Sequence, residues 1–209
     1  MRRTIKNIWR LLRITWILGR YDALFLLEDA KIAPFVTWIA SLAPRRRGLD
    51  GPGERLAAAL QVLGPSFIKF GQALSTRPDL VGDDVARELS KLQDRLPPFS
   101  GILAKDIIAR EFEIPLEELF SEFDIKPVAA ASIAQVHFAT TVEGDAVAVK
   151  ILRPDIEQAF ARDMELFYWL AEVSERTMPA LRRLKPIEVI HTFAESVAME
   201  MDLRIEAAA

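Results

Sequence analysis

The sequence predicts an α+β chain, helical through its first 125 residues and then organised around a β-hairpin with further helices after it. Three observations carry this. Apolar residues recur at helical spacing at Leu56, Leu60 and Leu63, and again at Val85, Leu89, Leu92 and Leu96. Two strand-like runs, Val136-His137-Phe138-Ala139-Thr140-Thr141-Val142 and Ala146-Val147-Ala148-Val149-Lys150-Ile151-Leu152, flank the turn tripeptide Glu143-Gly144-Asp145. A hydrophobic content of 51% over 209 residues is enough for one good core or two small ones.

Composition also excludes some functions. The 27 Lys and Arg against 30 Asp and Glu leave a net charge of -3, which argues against a protein built to coat nucleic acid. There is no cysteine, so disulfides, thiolate metal sites and cysteine nucleophiles are ruled out, and a cytoplasmic or cytoplasm-facing location fits. Only His137 and His191 are present, far apart in sequence, so no His-rich metal site is expected. The uncharged stretch at residues 32–44 has 13 residues. A membrane span needs about 20. Arg13 and Arg20 interrupt what would be the apolar region of a signal peptide.

Residues 1–47 form a basic arm with ten Lys/Arg and three Asp/Glu, ending in Arg45-Arg46-Arg47. Ile5, Trp9, Leu12 and Trp16 recur at helical spacing beside a stripe of Arg3, Lys6, Arg10 and Arg13. Two readings stay open for this amphipathic helix: it lies flat on an anionic membrane surface, or its apolar stripe packs on the rest of the protein.

Residues 48–125 read as a helical extension. Gly64-Pro65 ends one helix and starts the next, Pro65-Ser66-Phe67-Ile68-Lys69-Phe70-Gly71-Gln72-Ala73-Leu74. Lys69 and Gln72 share a face of it, and Gly71 between them leaves room for another backbone or a ligand. A lysine among Phe67, Ile68, Phe70 and Leu74 needs an anionic partner or a path to water, so Lys69 is expected against Glu200 or Asp202. The period through Val85 and Leu89 predicts one helix continuing to Leu96, before Pro97-Pro98, and a further helix is expected over residues 103–112.

Residues 126–209 follow a different plan. The small-residue loop Ala129-Ala130-Ala131-Ser132, the hairpin, and Lys150 near the end of its second strand repeat the order of parts in a kinase N-lobe: a phosphate-covering loop, then a Val-Ala-Val-Lys strand. Alanines stand where such loops carry glycines, which narrows the backbone conformations over the phosphates. The last helix begins at Pro186 and carries the stripe Ile190, Phe193, Val197, Met201 and Ile205. Asp202 and Glu206, four apart, are expected on one face of it.

With these residues in view the chain resembles the UbiB family of atypical kinase-like ATPases. The resemblance rests on four motifs in order, Lys69-Phe70-Gly71-Gln72, Ala129-Ala130-Ala131-Ser132, Lys150 and Glu200-Met201-Asp202, and on flanks such as Pro97-Pro98-Phe99 and Lys150-Ile151-Leu152-Arg153-Pro154. It runs from about Gly53 to the last residue.

The resemblance implies an incomplete protein-kinase-like N-lobe, without its C-lobe, behind the helical extension. It implies ATP and Mg2+ as cofactors, Lys150 and Glu206 as a catalytic pair, and Ala129, Ala130, Ala131, Ser132 and Lys150 at the nucleotide. The metal ligands would lie in the absent C-lobe. Lys69, Gly71, Gln72, Glu200 and Asp202 would form the regulatory motif lying over the nucleotide site. The implied role is ATP hydrolysis in ubiquinone biosynthesis, acting on lipid-like precursors at the cytoplasmic face of the bacterial inner membrane, alongside other ubiquinone biosynthesis proteins. An atypical protein kinase and a non-catalytic membrane-associated scaffold are the alternatives. The sequence holds no His-x-Asp-x-x-x-x-Asn pattern and no Asp-x-Gly triplet, so these 209 residues are not expected to turn over ATP by themselves.

Overall fold

The computed structural model describes residues 2–25, 43–44, 48–49, 51–92, 96–177 and 179–207. Helices α1 (Arg2–Arg20), α2 (Pro52–Leu63), α3 (Pro65–Ser75), α4 (Pro78–Val81), α5 (Asp83–Leu89) and α6 (Gly101–Phe112) come first, followed by the single turn α7 (Leu116–Leu119). Strands β1 (Phe120–Phe123), β2 (Ala129–Ala130), β3 (Ala134–Thr141) and β4 (Ala146–Leu152) follow. Next come α8 (Ile156–Thr177), a 3-10 segment (Pro179–Leu184), α9 (Pro186–Met201) and α10 (Leu203–Ala207). This is the α+β class that the sequence predicts. Two compact units result, Met1–Gln93 with Leu166–Ile187, and Asp94–Glu165 with Glu188–Ala209.

In the first unit α2 and α3 meet at Gly64, whose φ of 111° no helix accommodates, and Pro65 opens α3. Leu56, Ala59 and Leu60 of α2 are buried, as are Val85, Ala86 and Leu89 of α5, and these two helices pack together. The second half of α8 joins the same core: the Phe167 ring meets Phe67 edge-on at 5.1 Å and Phe70 at 5.1 Å. Helix α5 stops at Leu89 instead of running to Leu96. Its end is sealed by the Ser90 hydroxyl, which donates to the Arg87 carbonyl and competes with the helical ladder.

Helix α1 turns the opposite way from its apolar stripe. Among its described side chains and Gly19, the buried residues are Asn7, Thr15 and Gly19, whereas Trp9 is 72% exposed and Trp16 41%. Helix α1 contacts α2, and the indoles are left outside. The side chains of Arg3, Ile5 and Lys6, most of the stretch 32–44 and the Arg45–Arg47 run lie outside the described residues.

In the second unit β3 is the central strand. Strand β4 pairs antiparallel along it from Ala134↔Leu152 to Thr140↔Ala146, while β1 and β2 pair with opposite ends of its other edge. The β3–β4 connection is the predicted hairpin: Gly144 takes φ 96°, its N–H donates to the Thr141 carbonyl at 3.0 Å, and the Thr141 N–H donates to Asp145 at 2.9 Å. Val142 falls in the turn rather than the strand. Residues 101–112, which the sequence groups with the extension, pack on the sheet instead: Ala104 and Ile108 of α6 share a core with Leu116 and Ile151.

A polar chain runs through this unit. His137, fully buried and stacked on Phe123, places Nδ1 2.7 Å from the Asp124 carbonyl oxygen, which can only accept, so the ring proton sits on Nδ1. Nε2 is then free to accept from the Gln135 side-chain amide at 2.8 Å. The Gln135 oxygen accepts from the Phe99 N–H at 3.0 Å, which ties the Pro97-Pro98-Phe99 segment to β3.

Candidate functional site

Pairing register decides what each face of the sheet presents, because directly opposed residues share a face and neighbours along a strand alternate. His137, Val149, Gln135 and Ile151 point toward the core under α6. Val136 stands opposite Lys150, Phe138 opposite Ala148, and Ala129 opposite Val136, so these five residues share the outer face. Lys150 is half-buried there, and Phe138 is 53% exposed. Toward the hairpin end the same face hollows into an open recess of about 400 Å³, lined by Phe138, Thr140, Ala146, Ala148 and the carboxylates Glu122 and Asp124.

The small-residue loop is tighter than the sequence suggests. Ala129 and Ala130 form β2, and the Ala131 N–H donates to the Ala134 carbonyl at 2.7 Å, leaving Ser132 and Ile133 as a two-residue hairpin tip. That tip is tucked inward: Ser132 is fully buried and Ile133 is 3% exposed. Ala129 and Lys150 therefore present side chains on the shared face, whereas the Ser132 hydroxyl is enclosed and the Ala131 amide is spent within the loop.

Arg153, which the sequence offers only as a flanking residue, holds this loop. Its main-chain N–H donates to the Ile133 carbonyl at 2.8 Å, and its guanidinium donates to the Ala131 carbonyl from Nε at 3.0 Å and from Nη2 at 2.8 Å. Nη2 also reaches the Pro97 carbonyl at 3.0 Å, and the guanidinium lies 6.0 Å from the Phe99 ring centre. Burial lowers its pKa from the usual guanidinium value. An arginine directly after an apolar strand is the signal that could have marked it.

The Lys-x-Gly-Gln motif lies in the first unit. Lys69 is buried on α3, as its apolar neighbours imply. The space left by the absent Cβ of Gly71 is filled by leucine side chains rather than by a backbone or ligand: a Cβ would lie 2.5 Å from Leu92 Cδ1 and 2.7 Å from Leu60 Cδ1. Gln72 donates its side-chain amide to the Leu92 carbonyl at 3.1 Å.

Glu200 and Asp202 belong to the second unit, with Glu200 exposed on α9. The expected continuous stripe breaks at Asp202. Ile190, Phe193 and Val197 are buried, but Ile205 is 55% exposed, and α10 starts afresh at Leu203. The cause is the Asp202 side chain: its Oδ1 accepts from the Arg204 N–H at 3.1 Å, and its two oxygens accept from the Arg204 guanidinium at 2.8 Å each. That hydrogen bonding holds the Asp202 carboxyl below its ordinary pKa. Asp202 and Glu206 thus do not share one uninterrupted helix, and the Glu206 side chain lies outside the described residues. Among the described residues no three His, Asp or Glu side chains gather where they could hold a metal ion.

A small-residue hairpin followed by a strand lysine, with Ala129 and Lys150 on one sheet face, is the layout of a kinase-like lobe. Comparison agrees: residues 91–209 match the ABC1 atypical kinase-like domain. The chain is similar to "Probable protein kinase UbiB" of Marinobacter nauticus, 42% identical over 205 residues covering 97% of this chain and 38% of that protein. Its counterpart in Pseudomonas entomophila is 42% identical over 207 residues, covering 95% and 38%. In Pseudomonas aeruginosa the identity is 41% over 207 residues, with the same coverage. The chain thus spans well under half the length of these curated relatives. Domain match and identity together with the sheet layout lead to one conclusion: the chain belongs to the UbiB family of ABC1 atypical kinase-like proteins.

Proposed function

We propose that this chain supplies the upper part of the nucleotide site of a kinase-like ATPase serving ubiquinone biosynthesis. The observation that carries the reading is a single ladder pair, Val136 opposite Lys150, which sets the strand lysine on the same open face as Ala129 and Ala148. The residues fit an adenine nucleotide: small and apolar side chains suit a planar base, and a lysine ammonium suits phosphate oxygens. ATP, when bound, supplies the phosphoryl bond whose hydrolysis does the work. Lys150 offsets phosphate charge, Ala129 leaves the face clear beside it, and family resemblance assigns Glu206 the role of carboxylate partner. Magnesium ligands belong to sequence beyond these residues. Lys69, Gly71 and Gln72, together with Glu200 and Asp202, make up the regulatory motif of this reading. NMR of the chain titrated with magnesium-ATP tests this. Weak binding is expected, with amide shifts at Ala129, Val136, Ala148 and Lys150 that Lys150→Ala removes, and no hydrolysis. Shifts confined to residues 52–92, or shifts indifferent to Lys150→Ala, would overturn the assignment.

A second reading, a membrane-associated scaffold, is favoured by α1, where Trp9, Trp16 and Arg13 are exposed together. Indoles beside basic residues suit the headgroup layer of an anionic membrane. In this reading α1 brings the protein to the cytoplasmic face of the inner membrane, where lipid-like ubiquinone precursors and other proteins of the pathway are its partners. No described helix is long and apolar enough to cross a membrane.

A further inference from the structure

We propose that Arg153 is a positioning residue that locks the Ala129–Ser132 loop, converting what would be a flexible flap into a fixed edge beside the nucleotide-facing side of the sheet. This rests on the nucleotide reading for its purpose, though not for its geometry. Loops that cover phosphates in kinase-like lobes gain reach from freedom at the tip. Here the tip has none to spare. Ser132 and Ile133 are buried, the Ala131 amide is bonded to Ala134, and the Ala131 carbonyl takes two bonds from one guanidinium.

The same guanidinium reaches the Pro97 carbonyl and lies near the Phe99 ring, while Gln135 bonds the Phe99 main chain at its N–H and its carbonyl. Three separate stretches of chain, around residues 97, 131 and 153, are thereby joined at one planar group. Among the described residues its hydrogen-bond acceptors are all main-chain carbonyls. That is the arrangement of a group holding backbone in place. A planar fork of several donors can serve these carbonyls together, whereas a lysine would satisfy fewer of them in fixed geometry.

Amide hydrogen exchange on the 209-residue chain, without nucleotide, tests the lock. In Arg153→Ala the amides of Ala131 and residue 153 are expected to exchange about tenfold or more faster, while those of α6 and of the β3–β4 hairpin near Gly144 hold their rates. Arg153→Lys, which keeps the charge and the aliphatic stem, is expected to fall between, and it also serves if the alanine variant does not fold. Unchanged rates at Ala131, or equal acceleration throughout the second unit, would overturn the proposal, the latter by reducing Arg153 to general stability. Because no nucleotide is present, this outcome is independent of the titration with magnesium-ATP.

Discussion

Gln72 donates its side-chain amide to the Leu92 carbonyl at 3.1 Å, twenty residues along the chain, just beyond the end of α5. Two of the three named positions in the Lys-x-Gly-Gln motif thus hold the first unit together, since Gly71 lies under Leu60 and Leu92. Gln72→Met keeps the bulk and removes the donor, and is expected to cost about 1 kcal/mol. Gly71→Ala forces two leucine methyls aside and is expected to cost about 1–3 kcal/mol. Urea denaturation measures both. A Gly71→Ala protein as stable as wild type would show that the leucines swing away freely. Losses of activity at either position then need correcting for stability before a regulatory role is assigned.

The Gln135–His137 pair is expected to behave as one unit. Replacing Gln135 by Leu strands the His137 Nε2 and the Phe99 N–H in a buried place, at about 1–3 kcal/mol. His137→Phe removes the Asp124 carbonyl's bond to the ring and leaves the Gln135 amide only the Phe99 carbonyl as acceptor. The double variant is expected to cost less than the sum, with a coupling of about 0.5–3 kcal/mol in a denaturation cycle. Strict additivity would mean that the two side chains act separately.

Acid is expected to loosen the α9–α10 junction. The Asp202 carboxyl is held below its ordinary value by its bonds to Arg204, so the junction gains from this pair above the ordinary carboxylate pKa, about 3.9, and loses it as pH falls through the lowered folded value. Following the Arg204 amide by NMR from neutral to acidic pH should give a midpoint below 3.9, rising in Arg204→Ala if read at Asp202 itself. A midpoint at or above the ordinary value would contradict the pairing.

Vesicle flotation separates the two readings of α1. Binding to anionic vesicles is expected to weaken as salt rises, and to be lost when Arg3, Lys6, Arg10 and Arg13 are all reversed in charge. Trp9→Ala with Trp16→Ala should weaken binding without altering its salt dependence. Equal binding to neutral vesicles would remove the electrostatic part, and no binding at all would leave the exposed indoles to a protein partner.

Local punctuation was the most legible feature of the sequence. Gly64-Pro65 and Gly144 each force one backbone outcome, so the α2–α3 junction and the hairpin follow from residue chemistry alone. The strand face of Lys150 was readable for the same reason, since alternation has a period of two. Features set by partners distant in sequence were not. The two-residue β2 is too short to show a period, and Arg153 acts through carbonyls, which leave no trace in side-chain identity. Apolar periodicity left two readings open for α1, whose described buried residues are Asn7, Thr15 and Gly19, and it misled in the last helix, where a carboxylate at Asp202 ended what Met201 and Ile205 appeared to continue.

The central position of β3 sets an order for folding. Among the described residues β1, β2 and β4 each pair only with β3, so the sheet assembles on that strand. The β3–β4 hairpin closes a short loop, an event of about 1–10 μs, whereas β1 must bring its end back across many residues to reach Thr141. The hairpin should therefore act as the template on which the rest of the sheet condenses. Substitutions at Gly144 should then slow folding more than they hasten unfolding, whereas substitutions in β1 should mainly quicken unfolding.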